Sequence, residues 1–453
     1  MPSVAIVGGG ISGLSTAYYL SKAGISSTLI EARPRLGGVI QTEHIQNCVV
    51  EAGPDSFLSA KPWAMDLIRE LGMEGEVIGS NDAERVTYIR RRGRLVELPD
   101  GVQMLVPTKI LPMVTTPLVS WPTKVRMGLE YFRRPETGDR SDRSVAEFVE
   151  EHYGREAVEY LAEPLLAGIY GGDPAELSVT SVLPRFIEIE KRYGSLTRGV
   201  LAARPKTDGT RQPLFRTLRK GLGSLVDAVW KASGQMTVVH GTVNAMERVR
   251  DGFRLQLAGG WLSADHVVLA CEAHQAARLM PTVDARAAEL LGSIGYNSSI
   301  TVALGFERAA VREQMRGFGF LVPKRERRRL LACTWVGNKF PHRVPDTLAV
   351  LRCFAGGDTD RAETDDALVF AMRQEIREIA GVRAEPLFSG VFRWPRSMAQ
   401  YNVGHAQRIA ELESRMTSVP GLYLAGNGYH GIGVPDCVRM GKQAAERITN
   451  SPH

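Results

Sequence analysis

The chain has 453 residues, 44% of them hydrophobic and 23% charged, a balance that excludes a disordered protein and exceeds one ordinary core, so two or three domains are expected. The net charge of +6 suits an anionic substrate or a membrane surface and equally suits plain solubility. Cys48, Cys271, Cys333, Cys353 and Cys437 lack C-x-x-C spacing, which argues against a metal site and for free thiols in a reducing, cytoplasmic compartment. A strand begins almost at the first residue and no apolar run nears ~20 residues, so neither a signal peptide nor a membrane span is expected.

In chain order, Val4 to Val7 is a continuous apolar run, as in a parallel strand buried on both faces. Gly8, Gly10 and Gly13 follow as G-x-G-x-x-G. The first glycine permits a tight turn, the second lets a pyrophosphate approach the backbone, and the third lets helix pack on strand. Leu14, Ala17, Tyr18 and Leu20 give the next helix an apolar face, and Gly24 should end it. A second strand, Thr28 to Ile30, runs into Glu31, an acid placed to accept from a ribose hydroxyl. Strand, glycine turn, helix, strand and acid in register predict a dinucleotide site.

Alternating residues on either side of Gly93 predict an antiparallel hairpin. From about 103 to 205 the pattern is helical: Ala146, Val149, Ala157 and Leu161 recur at helical spacing, with Pro164 and Pro174 read as breakers. Leu225, Val226, Val229 and Trp230 predict an amphipathic helix. Strands are expected at 237–239, 253–257 and 266–270, and a helix over 365–380 closed by Gly381. Glycines return at the end, in Gly421, Gly426, Gly428, Gly431 and Gly433, before a second short helix. If both glycine-rich ends serve one ligand, the first and last segments lie side by side.

Gly37 and Gly38 add a second glycine turn just past Glu31, which an NAD-binding unit does not need. In flavoproteins resembling the amine oxidases, such an E-x(5)-G-G stretch continues the contact along FAD. Val39 stands where those enzymes carry arginine. Residues 39–42 followed by Glu51-Ala52-Gly53-Pro54-Asp55-Ser56-Phe57 instead resemble the porphyrinogen oxidases of haem synthesis. The segment from Glu163 to Pro174 with Leu177-Ser178 is similar to a specific signature of that family. Ala332 to Trp335, Phe340-Pro341-His342 and the stretch from Gln400 to Ile409 resemble its Gram-positive-type coproporphyrinogen III oxidases.

The resemblance implies an α/β architecture. A discontinuous Rossmann-like FAD/NAD(P)-binding domain (1–80, 215–283, 388–453) would carry an inserted substrate domain of α+β character with a mixed sheet (81–102, 206–214, 284–387). A helical insertion (103–205) would cap the pocket or dock on a membrane. Together, residues and resemblance assign the FAD to Gly8, Gly9, Gly10, Ile11, Ser12, Gly13, Glu31, Ala32, Gly38, Gly53, Pro54, Asp55, Ser56, Val243, Trp394, Gly426, Ile432, Gly433 and Val434. Arg85 and Lys61 are assigned to substrate carboxylates, which arginine can hold through two parallel hydrogen bonds. Leu321 and Phe340 are assigned to the faces of the macrocycle.

The implied reaction strips six electrons from a porphyrinogen in three flavin turnovers, with dioxygen as acceptor and hydrogen peroxide as product. Positioning and the cofactor carry such chemistry, so no catalytic acid or base is named. Coproporphyrinogen III is preferred to protoporphyrinogen IX. An amine oxidase- or carotenoid desaturase-like oxidoreductase and a nonenzymatic flavin- or porphyrin-binding protein are the alternatives. Transient contact with a ferrochelatase and peripheral contact with the cytoplasmic membrane face are expected partners, and monomer and homodimer are both open. The basic runs at 90–94 and 324–329 read first as solvated surface, without a nucleic-acid motif, and no metal site is expected. Cys437 reads as structural and not as a covalent flavin link.

Overall fold

The computed structural model describes residues 2–103, 105–135, 138, 140–203, 212–356 and 363–451. Of the expected substrate-domain segment 206–214, residues 206–211 lie outside the described residues. The chain forms two compact units: Met1–Ser80, Pro213–Tyr296 and Gln407–His453 in the first, Asn81–Gln212 and Asn297–Ala406 in the second.

The first unit is built on a five-stranded parallel sheet in the order Met236–His240, Ser27–Glu31, Val4–Val7, His266–Leu269, Leu422–Leu424. Val4 to Val7 is buried throughout, as an unbroken apolar run in a central strand requires. The strand order reverses on either side of Val4–Val7, and in such sheets ligands bind outside the carboxyl ends of the strands at that reversal. The helix Ile11–Lys22 leaves this end, buries Leu14, Ala17, Tyr18 and Leu20, and stops before Gly24, whose φ is +75°. The C-terminal helix Val434–Thr449 lies directly against it. The Thr16 hydroxyl donates to the Gly441 carbonyl (3.1 Å), and a Cβ on Gly441 would strike the Ser12 carbonyl oxygen. The two ends of the chain are therefore neighbours. Helix Gly223–Ala232 buries Leu225, Val226 and Val229 but leaves Trp230 exposed, so the expected apolar stripe is one residue narrower. A three-stranded antiparallel meander, 245–249, 252–257 and 260–264, follows the strand Met236–His240.

The second unit holds a seven-stranded sheet in the order Phe388–Gln400, Gly295–Glu307, Leu348–Gly356, Leu330–Trp335, Gly319–Leu321, Thr87–Arg91, Arg94–Glu97. It is mixed, because Gly319–Leu321 pairs parallel with Thr87–Arg91. The hairpin at Gly93 turns through two positive φ values, +49° at Arg92 and +75° at Gly93, a turn whose twist matches paired strands. The helix Asp365–Ala380 covers the sheet with Leu368, Met372 and Ile376, and Gly381 ends it in the left-handed conformation. A second core joins Ile89 to helical residues including Phe148, Val149, Tyr153, Leu161 and Leu166.

The two units divide the chain differently from the expected domains at three places. The helical insertion is not a unit of its own but part of the second one. Residues 388–406, assigned to the nucleotide-binding part, belong to the second unit, because Phe388–Gln400 is an edge strand of its sheet. Residues 284–296, assigned to the substrate part, fall in the first. Pro164 does not break its helix either. The chain stays helical from Arg155 to Tyr170 by widening into a π-turn over Val158–Ala162. Proline lacks the N–H that would bond the carbonyl four residues back, and a local π-turn accommodates that loss.

Candidate active site

The site in the first unit begins with sterics. A Cβ on Gly8 (φ +110°) would lie 2.8 Å from the Ala270 carbonyl carbon, so only glycine lets the turn pass between the two central strands. A Cβ on Gly13 would collide with the Gly8 carbonyl oxygen. Gly10 differs, since its Cβ would meet only the Gly38 Cα, at 4.0 Å. Space is open there, at the N-terminus of the helix Ile11–Lys22, where no side chain caps the helix and no acid occupies the first turn. Unpaired N–H groups and the helix dipole at such an end attract a pyrophosphate.

Gly37 and Gly38 sit across from this end. The Gly37 N–H donates to the Gly9 carbonyl (2.8 Å), and Gly10 pairs with Gly37 in a parallel bridge. Arg35 holds this second turn through the carbonyls of Leu36, Gly38 and Ile40 at 2.6–3.2 Å. That function was not assigned to Arg35 from sequence, although an arginine inside a glycine turn is a visible signal for it. Gly53 approaches so closely that a Cβ would overlap the Val39 carbonyl oxygen. The cradle is therefore made of backbone, and it fits a dinucleotide.

Glu31 is buried and accepts the Gly9 N–H (2.7 Å) and the Arg33 N–H (2.8 Å). A carboxylate has about four acceptor positions, so these two bonds orient it and leave capacity for a ribose hydroxyl. Ala32 is exposed beside it. Val243 is buried just before the meander, and its N–H meets no acceptor among the described residues, as suits an adenine edge. At the C-terminal end, Gly426 has φ +136°, and the Gly433 N–H donates to Asp436 (3.3 Å) at the start of the last helix. Ile432 and Gly433 are half-buried, and Val434 is buried at that helix start. Pro54, Asp55 and Ser56 are half-buried, and the Ser56 hydroxyl donates to Asp55 (2.6 Å).

The ammonium of Lys61, the second expected carboxylate partner, is 2.6 Å from the buried Asp436 carboxylate at the start of the last helix. Burial pushes the Cys437 thiol up to about 11, which keeps it protonated and inert at neutral pH.

In the second unit, Arg85 keeps its guanidinium available. It is 49% exposed and only 3.9 Å from its nearest acid, Asp82. Its segment is anchored beside Phe340, since the Asn81 N–H donates to the Lys339 carbonyl (3.0 Å). Leu321 is half-buried and reaches over the signature helix, where a Cβ on Gly168 would meet it at 3.7 Å. Phe340, the other expected macrocycle neighbour, is 1% exposed, with the Arg343 guanidinium 5.3 Å from its ring centre, so it packs inside the unit. Trp394 is buried on the edge strand Phe388–Gln400.

The basic run is neither free nor simply solvated. Lys324 pairs with Asp173 (2.7 Å), Arg325 with Glu159 (2.5 Å), Arg327 with Glu163, Arg328 with Glu378 (2.8 Å) and Arg329 with Glu363. Glu163 and Asp173 of the signature segment thus clamp a loop. Among the described residues no group of three or more His, Cys, Asp or Glu side chains could hold a metal ion.

With this cradle in view, the relatives of the chain can be compared. The profile of the family described as flavin containing amine oxidoreductase matches residues 11–449. The coproporphyrinogen III oxidase of Bacillus subtilis (strain 168) is 35% identical over 97% of this chain and 96% of its own. This chain belongs to the porphyrinogen oxidase family of flavin-containing amine oxidoreductases. The family's Staphylococcus aureus coproporphyrinogen III oxidase is 31% identical over 98% of both chains. Protoporphyrinogen oxidase 1 of Arabidopsis thaliana chloroplasts is 28% identical over 98% of this chain and 87% of its own. A crystal structure from Exiguobacterium sp. 255-15, assigned as a protoporphyrinogen oxidase, superposes with a TM-score of 0.88 at 31% identity, covering 99% of this chain and 98% of the other. Family membership makes the group that fills the cradle a flavin and the protein an oxidoreductase.

Proposed function

We propose that the protein oxidises coproporphyrinogen III to coproporphyrin III in haem synthesis, with FAD as the flavin and dioxygen as terminal acceptor. The observation that carries this reading is the full-length match to the Bacillus subtilis coproporphyrinogen III oxidase, 35% identical against 28% for the chloroplast protoporphyrinogen oxidase. The reaction balances as one porphyrinogen and three dioxygen giving one porphyrin and three hydrogen peroxide, six hydrogens leaving the macrocycle. FAD, when bound, supplies two-electron hydride acceptance and reoxidation by dioxygen.

The chain's own residues supply position. The Gly8–Gly13 turn and the open helix N-terminus hold the pyrophosphate, Glu31 the ribose, and the Val243 backbone the adenine. Arg85 holds a propionate carboxylate through paired N–H donors, and Leu321 gives the macrocycle an apolar surface. The Ile432–Val434 backbone serves the isoalloxazine. No side chain is asked to remove a proton with a shifted pKa, because orientation toward the flavin is the main requirement.

The test is a side-by-side comparison of coproporphyrinogen III, with four propionates, and protoporphyrinogen IX, with two. The former should have the higher kcat/KM, with hydrogen peroxide released at three per porphyrin. Faster turnover of protoporphyrinogen IX would reverse the substrate assignment. Anaerobic mixing with either porphyrinogen should bleach the flavin absorbance, and an unchanged spectrum would remove the enzyme reading altogether.

A further inference from the structure

The two basic runs meet at a cavity in the second unit. Arg91 and Arg92 from the hairpin, Glu156 and Tyr160 from the helical segment, and Arg325 and Glu326 from the basic loop line a space of about 370 Å³. That is the share of roughly a dozen waters, far more than a lone chloride needs. Ligand pockets of this size are usually lined by apolar side chains. Here every lining residue is charged except Tyr160, which selects a small, highly charged ligand.

The acids of the cavity are already committed. Glu326 accepts the Arg92 N–H (2.6 Å) and the Gly93 N–H (3.1 Å), filling the anion nest that the hairpin tip forms. Glu156 accepts from Arg91 (2.7 Å), the Ser120 N–H (2.7 Å) and the Thr123 hydroxyl (2.6 Å). The cations keep donors in reserve. Arg91 is nine-tenths buried, and its Nη1 meets no acceptor among the described residues. The Arg92 guanidinium is exposed and pairs with no acid among them. Arg325 holds Glu159 at 2.5 Å through one of its five N–H donors and is 56% exposed. Tyr160 gathers two of these charges, with Arg91 4.7 Å and Arg325 5.6 Å from its ring centre.

We propose that this cavity binds a small diphosphate, free or carried by a nucleotide. Three guanidiniums arrive from the strand, the hairpin tip and the loop. A phosphate presents oxygens in three dimensions to such donors, whereas a carboxylate offers two in one plane. The ring of Tyr160 already carries two cations, so a base finds no free platform there and recognition falls on the phosphates. The site is separate from the expected propionate partner. Arg85 does not line it, and the strand Thr87–Arg91 carries Arg91 roughly 13 Å beyond Thr87.

The experiment titrates pyrophosphate into the flavin-loaded protein by calorimetry, so that the cradle of the first unit is occupied, against potassium chloride of equal ionic strength. Pyrophosphate should bind at one saturable site and raise the unfolding midpoint by a few degrees. Arg92→Gln should weaken binding about tenfold and leave the unliganded midpoint unmoved, since its guanidinium has no partner to lose. Adding Arg325→Gln should weaken it further, with porphyrinogen turnover unchanged in both variants. ADP should match pyrophosphate, and citrate should bind more weakly. Absence of saturable binding, full affinity in the double variant or tighter binding of citrate overturns the inference. Lost turnover in the folded variants would overturn it as well, by placing these arginines in the substrate site. ADP binding more than tenfold tighter than pyrophosphate would overturn recognition through the phosphates alone.

Discussion

The two units use opposite materials for the candidate contacts that each carries. In the first, the cradle is backbone: glycines at 8, 10, 13, 37, 38 and 53 are placed where a Cβ would collide or where a ligand needs the room. In the second, the candidate contacts are side chains, Arg85 and Leu321, on strands and turns that any of several residues could have built. Backbone sites tolerate no substitution and announce themselves through glycine spacing. Side-chain sites tolerate exchange of residue type, and their chemistry depends on neighbours far away in sequence.

The largest effect should come from breaking the backbone half. Gly13→Ala drives a methyl into the Gly8 carbonyl oxygen and pushes the first helix off the central strand. Purified protein should then carry less than a tenth of the normal flavin, read as the ratio of flavin to protein absorbance. Normal flavin content in this variant would mean that the cradle is more pliable than its contacts imply.

A nearly comparable loss should arise in the second unit, from a group with no part in the chemistry. The Glu130 carboxylate accepts from Ser195 and Leu196 and lies 2.9 Å from the His152 Nδ1, while Glu190 faces the other ring nitrogen at 3.0 Å. Glu130→Gln leaves these buried partners poorly matched and should cost about 3 kcal/mol, lowering the unfolding midpoint by roughly 6–12 °C. Flavin content should stay normal in the folded protein. Acid should do the same to the native chain. Burial alone would raise the Glu130 pKa, but hydrogen bonds from His152, Thr197 and the Leu196 N–H outweigh it and hold the group below the usual glutamate range. Glu156 and Glu190 are lowered in the same way against burial. Carboxylates depressed by folding contribute their stability fully above the unfolded pKa and lose it as pH falls through the folded one. Melting temperature should therefore drop steeply on the acid side of the glutamate range, and a flat profile there would contradict this account.

How legible each half was follows from the same contrast. The Gly8–Gly13 turn, the helix ending before Gly24, the hairpin at Gly93 and the helix closing at Gly381 all rest on local rules, a period of 3.6 or 2 and a glycine where φ turns positive. The basic run at 324–329 could not be read locally, because its acids come from positions 159, 163, 173, 363 and 378. The surroundings of Phe340 and Lys61 are non-local in the same way. A motif identifies a residue type at a position, but burial against Arg343 or pairing with Asp436 is decided by the assembled unit. Pro164 shows the limit of a local rule that is correct in general: the lost hydrogen bond was absorbed by a π-turn rather than by a break.

A smaller effect is expected where a side chain is exposed and loosely paired. Arg85→Ala removes a guanidinium held only by a 3.9 Å contact to Asp82, so the unfolding midpoint should hardly move. Turnover should suffer instead: kcat/KM for coproporphyrinogen III is expected to fall about tenfold, chiefly through KM, with Arg85→Lys intermediate. Unchanged KM in both variants would release Arg85 from the carboxylate role and weaken the side-chain half of the comparison.

The smallest effect sharpens the backbone half. Gly24 closes the same helix that Gly13 begins, and it too is a glycine, with φ +75°. Nothing lies within 4 Å of the place its Cβ would occupy. Alanine there meets only the intrinsic cost of the left-handed conformation, about 1 kcal/mol, partly offset by a less flexible unfolded chain. Gly24→Ala should therefore keep its full flavin and melt only a few degrees lower. If it lost flavin as Gly13→Ala does, the cradle would depend on the integrity of the whole helix and not on close approach at its start.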